Sequence, residues 1–165
     1  MTMTKERKSK GRTAAGGISL SVADLRAALA AVAPAVPTRS AKPVLQNVLL
    51  SAAVLSGSDG EIRIDVAVDY SGQALLLPKD RLQAILASAT GEDVTLIPNG
   101  TTCTVRAGHG EWTLPTEDAG EYPAWTVTNA KSVTRLPADQ FCRAVRGTVF
   151  ATDSESPLRA WRGAC

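Results

Sequence analysis

A strict alternation of apolar and polar residues from Glu61 to Asp69 is the feature that most limits what this chain can fold into. Branched apolar residues occupy every second position, at Ile62, Ile64, Val66 and Val68. Side chains of a β-strand point alternately to opposite faces, so the segment predicts a strand with one buried face and one face in water. We therefore expect a sheet that is covered on one side.

Two other segments have the period of an amphipathic helix. Ser21 is suited to cap the first one, and Pro34 ends it. Its apolar stripe consists of Val22, Leu25, Leu29 and Val32. The second begins at Pro78, which suits a first helical turn. Its stripe consists of Leu82, Ile85 and Leu86 and leaves out Lys79 and Arg81.

Short strands are expected around these helices, since 44% of the residues are hydrophobic and can form a core. They are Ile18–Leu20, Val44–Val54, Gln73–Leu77, Val94–Ile97, Thr102–Ala107 and Glu111–Leu114. Ser56–Gly60 is a predicted turn. Asn99-Gly100 and Gly108-His109-Gly110 are hairpin signals. The element order indicates an α+β fold.

The same order begins again near Ser132. A strand is expected at Ser132–Leu136, and a helix at Asp139–Val149 with Phe141, Val145 and Val149 on one face. Residues 1–16 carry five Lys and Arg against one Glu. We therefore predict a disordered basic extension at residues 1–17, one domain at residues 18–130, and the incomplete start of a second at residues 131–165.

A basic loop precedes the Val44 strand. It contains Arg39 and Lys42, and Pro43 closes it, because proline fixes its own φ and keeps Lys42 out of the helical region. The loop and its strand belong to a set of motifs spread over residues 18–156. The motifs are Pro43-Val44-Leu45 with Asn47-Val48-Leu49-Leu50, Leu77-Pro78, Trp112-Thr113-Leu114 with Thr116, Tyr122-Pro123, and Leu136-Pro137 leading to Thr148-Val149-Phe150-Ala151-Thr152.

In order and spacing these motifs resemble the bacterial β sliding clamp, the β subunit of DNA polymerase III. The resemblance implies a DNA-clamp domain with two helices packed on two small antiparallel sheets, followed by an incomplete second copy. Subunits of such clamps have three similar domains, and two subunits close into a homodimeric ring. The resemblance also implies double-stranded DNA, the replicative DNA polymerase and the clamp loader as partners, and a cytoplasmic location.

A ring holds DNA by encircling it, so its contacts with phosphates stay few and independent of sequence. By resemblance, Arg39 matches a DNA-contacting arginine of the family. The other candidates match only as basic residues on elements that face the pore: Lys42, Lys79, Arg81, Arg143 and Arg146.

The last residues depart from the family. From Pro157 to Cys165 they fit no clamp strand, whereas relatives often read Ser-Arg-Tyr-Ala-Leu-Gly-Gly-Val there. Starting one base into the Pro157 codon, the degenerate codons permit Arg-Tyr-Ala-Leu-Gly-Gly-Val. A one-base frameshift that truncates a full-length clamp is therefore expected, with loss of ring closure and of the partner pocket that the family forms between its second and third domains.

Enzyme chemistry is not predicted. His109 is the only histidine and lies in a turn, without the base and nucleophile arrangement that catalysis requires. Cys103, Cys142 and Cys165 have neither zinc-site nor disulfide spacing. We expect no catalytic residue, no cofactor and no metal. A reducing compartment fits this cysteine pattern.

Two alternatives remain open on the sequence alone. The chain is a stand-alone α+β interaction module that forms no ring, or a small nucleic-acid-binding protein that works through its basic tail. Deleting residues 1–16 abolishes DNA affinity only in the second alternative, whereas dependence on DNA ends is expected only of a ring.

Overall fold

The computed structural model describes residues 13–14, 17–124 and 135–152. The chain divides into two compact units, residues 1–125 and 126–165. In the first unit the strands are β1 (Thr13–Ala14), β2 (Gly17–Ser21), β3 (Asn47–Ser51), β4 (Val54–Ser58), β5 (Arg63–Ala67), β6 (Leu75–Pro78), β7 (Asp93–Asn99), β8 (Thr102–Ala107) and β9 (Gly110–Pro115). Its helices are α1 (Val22–Val32) and α2 (Lys79–Ser88), and the second unit contains α3 (Ala138–Thr148).

The strands form two antiparallel sheets. One has the order β1-β2-β7-β8-β9, and the other has the order β5-β4-β3-β6. The core contains the apolar stripes of α1 and α2 together with residues from both sheets, such as Leu50, Leu77 and Leu96. The predicted α+β class, with two helices and two small antiparallel sheets, is therefore confirmed.

Helix α1 forms as its sequence predicts. The Ser21 side chain accepts a hydrogen bond from the Asp24 amide at 3.2 Å and caps the helix. The predicted stripe is buried, together with Ala28. A short 3₁₀ turn, Ala33–Ala35, follows directly. Gly57 on β4 lies beneath this corner, where an added Cβ would come within 2.5 Å of Val36 Cγ2.

The predicted strand Val44–Val54 is wrong at both ends. Pro43–Gln46 forms a 3₁₀ turn, and β3 is only Asn47–Ser51. The chain then reverses at Ala52 and Ala53, whose φ angles are 49° and 64°. The predicted turn Ser56–Gly60 is also wrong in its first half, because Ser56 to Ser58 belong to β4.

The alternating segment forms the edge strand β5, which is shorter than predicted. Ile64, Val66 and Val68 are half-buried against the core. Ile62 precedes the strand and is 58% exposed, so its predicted place on the buried face is wrong. Residues 59–62 turn instead around the Asp59 carboxylate, which accepts the amides of Glu61 and Ile62.

The predicted extension and the second unit are described only in part. Thr13 and Ala14, within the predicted extension, pair with Ile18 and Gly17, while residues 1–12 and 15–16 lie outside the described part of the chain. In the predicted strand Ser132–Leu136, residues 132–134 lie outside it as well, and residues 135–136 are not in a strand. None of the helices described is both long and apolar enough to cross a bilayer.

Candidate nucleic-acid interface

The basic loop, residues 37–42, is exposed at both of its cations. Arg39 and Lys42 lie on the protein surface. The Lys42 amide donates to Ser40 Oγ at 3.1 Å, and the Lys42 carbonyl accepts the Leu45 amide at 3.1 Å. These local bonds fix the second half of the loop, and both side chains remain free to meet an external phosphate.

Lys79 does not lie outside the buried stripe as predicted. The residue is only 7% exposed. Its Nζ lies 3.1 Å from the carboxylate of Asp80 and 3.5 Å from the carbonyl oxygen of Val36. The predicted position is wrong because folding brings Val36, after α1, next to the Lys79 side chain, which periodicity within α2 alone cannot reveal.

Arg81 is exposed and lines a hollow between α2 and the edge strand β9. The hollow has a volume of about 580 Å³ and is also lined by Ile85, Glu111, Trp112 and Leu114. Its apolar floor and its charged groups of both signs suit a protein contact. Sequence reasoning missed this hollow, although an aromatic residue on a polar edge strand was a usable signal.

Arg143 and Arg146 are exposed on α3 of the second unit, as predicted. Phe141, Val149 and Phe150 of the same unit are exposed by 55%, 54% and 84%. The described part of this unit therefore presents both cations and large apolar side chains on its surface.

Arg26 is a cation that the sequence-based set did not include. It lies on the exposed side of α1, and its guanidinium donates to the carbonyl oxygen of Leu86 near the C-terminal end of α2. The rest of the exposed surface of the two helices is dominated by small side chains. They are Ala23, Ala27, Ala30, Ala31, Ala84 and Ala87. Asp24, Asp80 and Arg81 are also exposed on these helices, so their surface carries charges of both signs.

No side-chain set for catalysis or metal binding is found within residues 13–14, 17–124 and 135–152. None of their His, Cys, Asp and Glu side chains form a group of three that could hold an ion. His109 is exposed in the β8–β9 turn. Burial raises the pKa of the Cys103 thiol, so this thiol stays protonated and is a poor nucleophile.

A family of known proteins matches the chain over almost the same residues as the first unit. The model of the DNA polymerase III beta subunit N-terminal domain matches residues 18–126. The beta sliding clamp of Synechococcus elongatus is 30% identical over 150 residues, which cover 85% of this chain and 40% of that protein. The chain thus spans about 40% of the length of this relative.

Solved structures show the same fold. The DNA polymerase III subunit beta of Pseudomonas aeruginosa superposes with a TM-score of 0.77 at 23% identity, covering 88% of this chain and 42% of that one. The beta subunit from the DNA polymerase of Streptococcus pyogenes superposes with a TM-score of 0.75 at 22% identity, covering 86% of this chain and 41% of that one.

Proposed function

Because the chain belongs to the DNA polymerase III beta subunit family through its N-terminal domain, we propose that it supplies the first domain of a sliding clamp that encircles duplex DNA. The observation that carries this proposal is the family match over residues 18–126. The proposed role is that of a non-catalytic processivity factor in DNA replication. Its partners are the replicative DNA polymerase and the clamp loader, and its location is the cytoplasm.

The proposed DNA contacts begin with Arg39 and Lys42. Both are exposed, and local hydrogen bonds hold the backbone at Lys42, so little order has to be gained there when a phosphate is met. Arg81, Arg143 and Arg146 remain proposed contacts because they are exposed. Lys79 is buried and is no longer proposed as a direct contact. Such contacts lack sequence preference and weaken with salt.

DNA binding is tested by measuring the affinity of the chain for a short duplex over a range of salt concentrations. Replacing Arg39 by Ala should reduce the slope of log K against log salt by about 0.9, as expected for one lost phosphate contact. The matched control is Arg106→Ala, which removes an exposed arginine paired with Glu111 at 2.6 Å. Equal slopes for the two variants would contradict a phosphate contact by Arg39.

A further arm of the same measurement separates the loop from the basic tail. Deleting residues 1–16, which hold five cations, should lower the overall affinity and leave the effect of Arg39→Ala intact. If the deletion alone abolishes binding, the tail is the binding element and the clamp proposal loses its DNA contact.

Ring closure is proposed to use the hollow between α2 and β9. Strand β9 is an edge strand with β8 as its neighbour, and Trp112 of this strand is half-buried. An edge strand flanked by apolar side chains offers backbone hydrogen bonds and contact area to a second subunit. We propose that a later domain of the partner subunit docks here and forms the homodimeric ring.

A chimaera tests this ring. Residues 18–124 replace the first domain of the Synechococcus elongatus clamp, and the product is loaded onto a circular plasmid by the clamp loader of that organism. It should remain on the circle and be lost once the plasmid is cut. Trp112→Ala should shorten retention on the circle. Retention that is the same on circular and linear DNA would contradict encirclement.

Truncation by a frameshift remains a prediction. The prediction rests on the adjacent reading frame, whose codons permit Arg-Tyr-Ala-Leu-Gly-Gly-Val from Pro157 onward. The nucleotide sequence of the gene tests it, because the adjacent frame should encode further clamp-like domains. If it encodes none, the frameshift is rejected, and the loop and ring experiments are unaffected.

A further inference from the structure

Lys79 is a buried lysine whose charge needs an explanation. The residue is 7% exposed and opens α2. Burying an ammonium group is costly unless it is hydrogen-bonded or paired. Its Nζ has the Asp80 carboxylate at 3.1 Å and the Val36 carbonyl oxygen at 3.5 Å. The Val36 contact joins residues 43 positions apart in the sequence.

Val36 immediately precedes the basic loop. It is buried, and its amide donates to the Ala33 carbonyl at 3.1 Å. Its side chain packs over Gly57, where a Cβ would lie 2.5 Å from Cγ2. The loop therefore begins at a residue that is held by its side chain in the core and by its carbonyl oxygen at Lys79.

The strand that follows the loop returns to the same place. The 3₁₀ turn Pro43–Gln46 leads into β3, and Asn47, the first residue of β3, pairs with Pro78. Pro78 immediately precedes Lys79. The near end of the loop and the strand that follows its 3₁₀ turn thus meet at the junction of β6 and α2, where Lys79 is the side chain that reaches the near end.

We propose that Lys79 is a positioning residue that holds the near end of loop 37–42, so that Arg39 and Lys42 are presented in a defined geometry. The inference rests on the proposed function, because that geometry matters for DNA contact. A loop that is ordered before binding loses less conformational entropy when it binds. Lys79 then acts on DNA affinity through the loop and without touching DNA.

Amide hydrogen exchange of the free chain tests the positioning role without DNA. In Lys79→Met the amides of Val36 and Lys42, both hydrogen-bonded, should exchange about tenfold faster through local opening. Val105→Ala, in the buried interior of β8, is the control for general destabilisation and should not raise exchange in the loop selectively. Unchanged loop exchange in Lys79→Met would overturn the proposal.

A double-mutant cycle then links the loop to DNA. Lys79→Met should weaken duplex binding in the wild-type background and have no effect once Arg39 and Lys42 are both Ala. Equal losses in both backgrounds would overturn the proposal, because Lys79 would then act independently of the loop. If Lys79→Met does not fold, Lys79→Gln replaces it, since its shorter side chain cannot reach Val36.

The two proposals fail in different ways. If the wild-type chain has no affinity for duplex DNA, the proposed DNA contact fails, and the exchange measurement still decides whether Lys79 holds the loop. If DNA binds and depends on Arg39, but loop exchange is insensitive to Lys79, only the positioning role fails.

Discussion

At the scale of single residues, the turn between β3 and β4 is strained. Ala52 and Ala53 have φ angles of 49° and 64°, and residues with a Cβ are disfavoured there by roughly 1 kcal/mol or more each. Two-residue hairpin loops of this kind prefer Asn-Gly, because glycine and asparagine accept positive φ. The protein tolerates two alanines here because the pairs Ser51–Val54 and Leu50–Leu55 hold the flanking strands.

Replacing Ala52-Ala53 by Asn-Gly should therefore stabilise the protein by about 1 kcal/mol, since the native backbone is then unstrained. The free energy of unfolding in urea measures the effect. Ala84→Gly, at an exposed interior position of α2, is the matched control and should destabilise by about 1 kcal/mol. A loss of stability in the Asn-Gly variant would contradict the turn geometry.

Asp59 is expected to make the stability of the fold depend on pH. Backbone hydrogen bonds from Ile62 and Glu61, at 2.7 and 2.8 Å, hold the pKa of its carboxyl below the usual 3.8. A lowered folded-state pKa means that the stabilisation is present above the unfolded-state pKa and is lost as the pH falls through the folded-state value.

Asp59→Asn keeps an accepting oxygen and removes the titration. The stability difference between wild type and variant should be largest near neutral pH and should shrink as the pH falls through the usual 3.8 toward the lower folded-state pKa. Urea midpoints across this range measure it. A difference that stays constant with pH would show that the carboxylate charge contributes nothing.

At the scale of elements, local signals predicted the helices and hairpins well. The stripe of α1 is buried as predicted. Gly100 and Gly108-His109 lie in the turns that follow β7 and β8, and Asn99 is the last residue of β7. The turn at Ala52-Ala53 escaped prediction because alanine carries no turn signal. The 3₁₀ turn at Pro43–Gln46 was not predicted because valine and leucine are common in strands.

The C-terminal end of α2 depends on another helix. The Arg26 guanidinium donates to the Leu86 carbonyl oxygen, and cations are favourable near helix C-termini. Arg26→Gln should therefore lower the free energy of unfolding by about 1 kcal/mol. Amide exchange near residues 86–88 should also increase. The control is Gln83→Ala, at an exposed position of α2, which should change neither quantity appreciably.

At the scale of the whole molecule, the two units differ in how they treat apolar residues. The first unit buries an extensive core, whereas Phe141 and Phe150 of the second are 55% and 84% exposed. Exposed clusters of large apolar side chains promote association. The sequence predicted the apolar face of α3 correctly.

The full chain should accordingly self-associate as its concentration rises. The double variant Phe141→Ser with Phe150→Ser should reduce this association, as measured by sedimentation velocity. Ile62→Ser is the matched control, because Ile62 is an apolar residue of the first unit that is 58% exposed. If Ile62→Ser reduces association as much as the double variant does, α3 is not its cause.

The candidate site was predictable in part at this scale. Arg39 and Lys42 are exposed, as a basic loop led us to expect. Lys79 is buried because a carbonyl from a distant segment meets it, and the Arg81 hollow needs β9 beside α2. The exposure of a loop can be predicted from local sequence. The burial of Lys79, at the start of α2, depends on Val36, which only folding brings close to it.

The position of β9 at the end of its sheet also makes this domain open to chemical control. An extended peptide with an aromatic residue aligned to the hollow beside Trp112 could add a sixth strand and occupy the place proposed for the partner subunit. Such a ligand would block assembly of the ring and leave the basic loop free to contact DNA. The effect of losing ring closure could then be measured separately from the effect of losing the DNA contact.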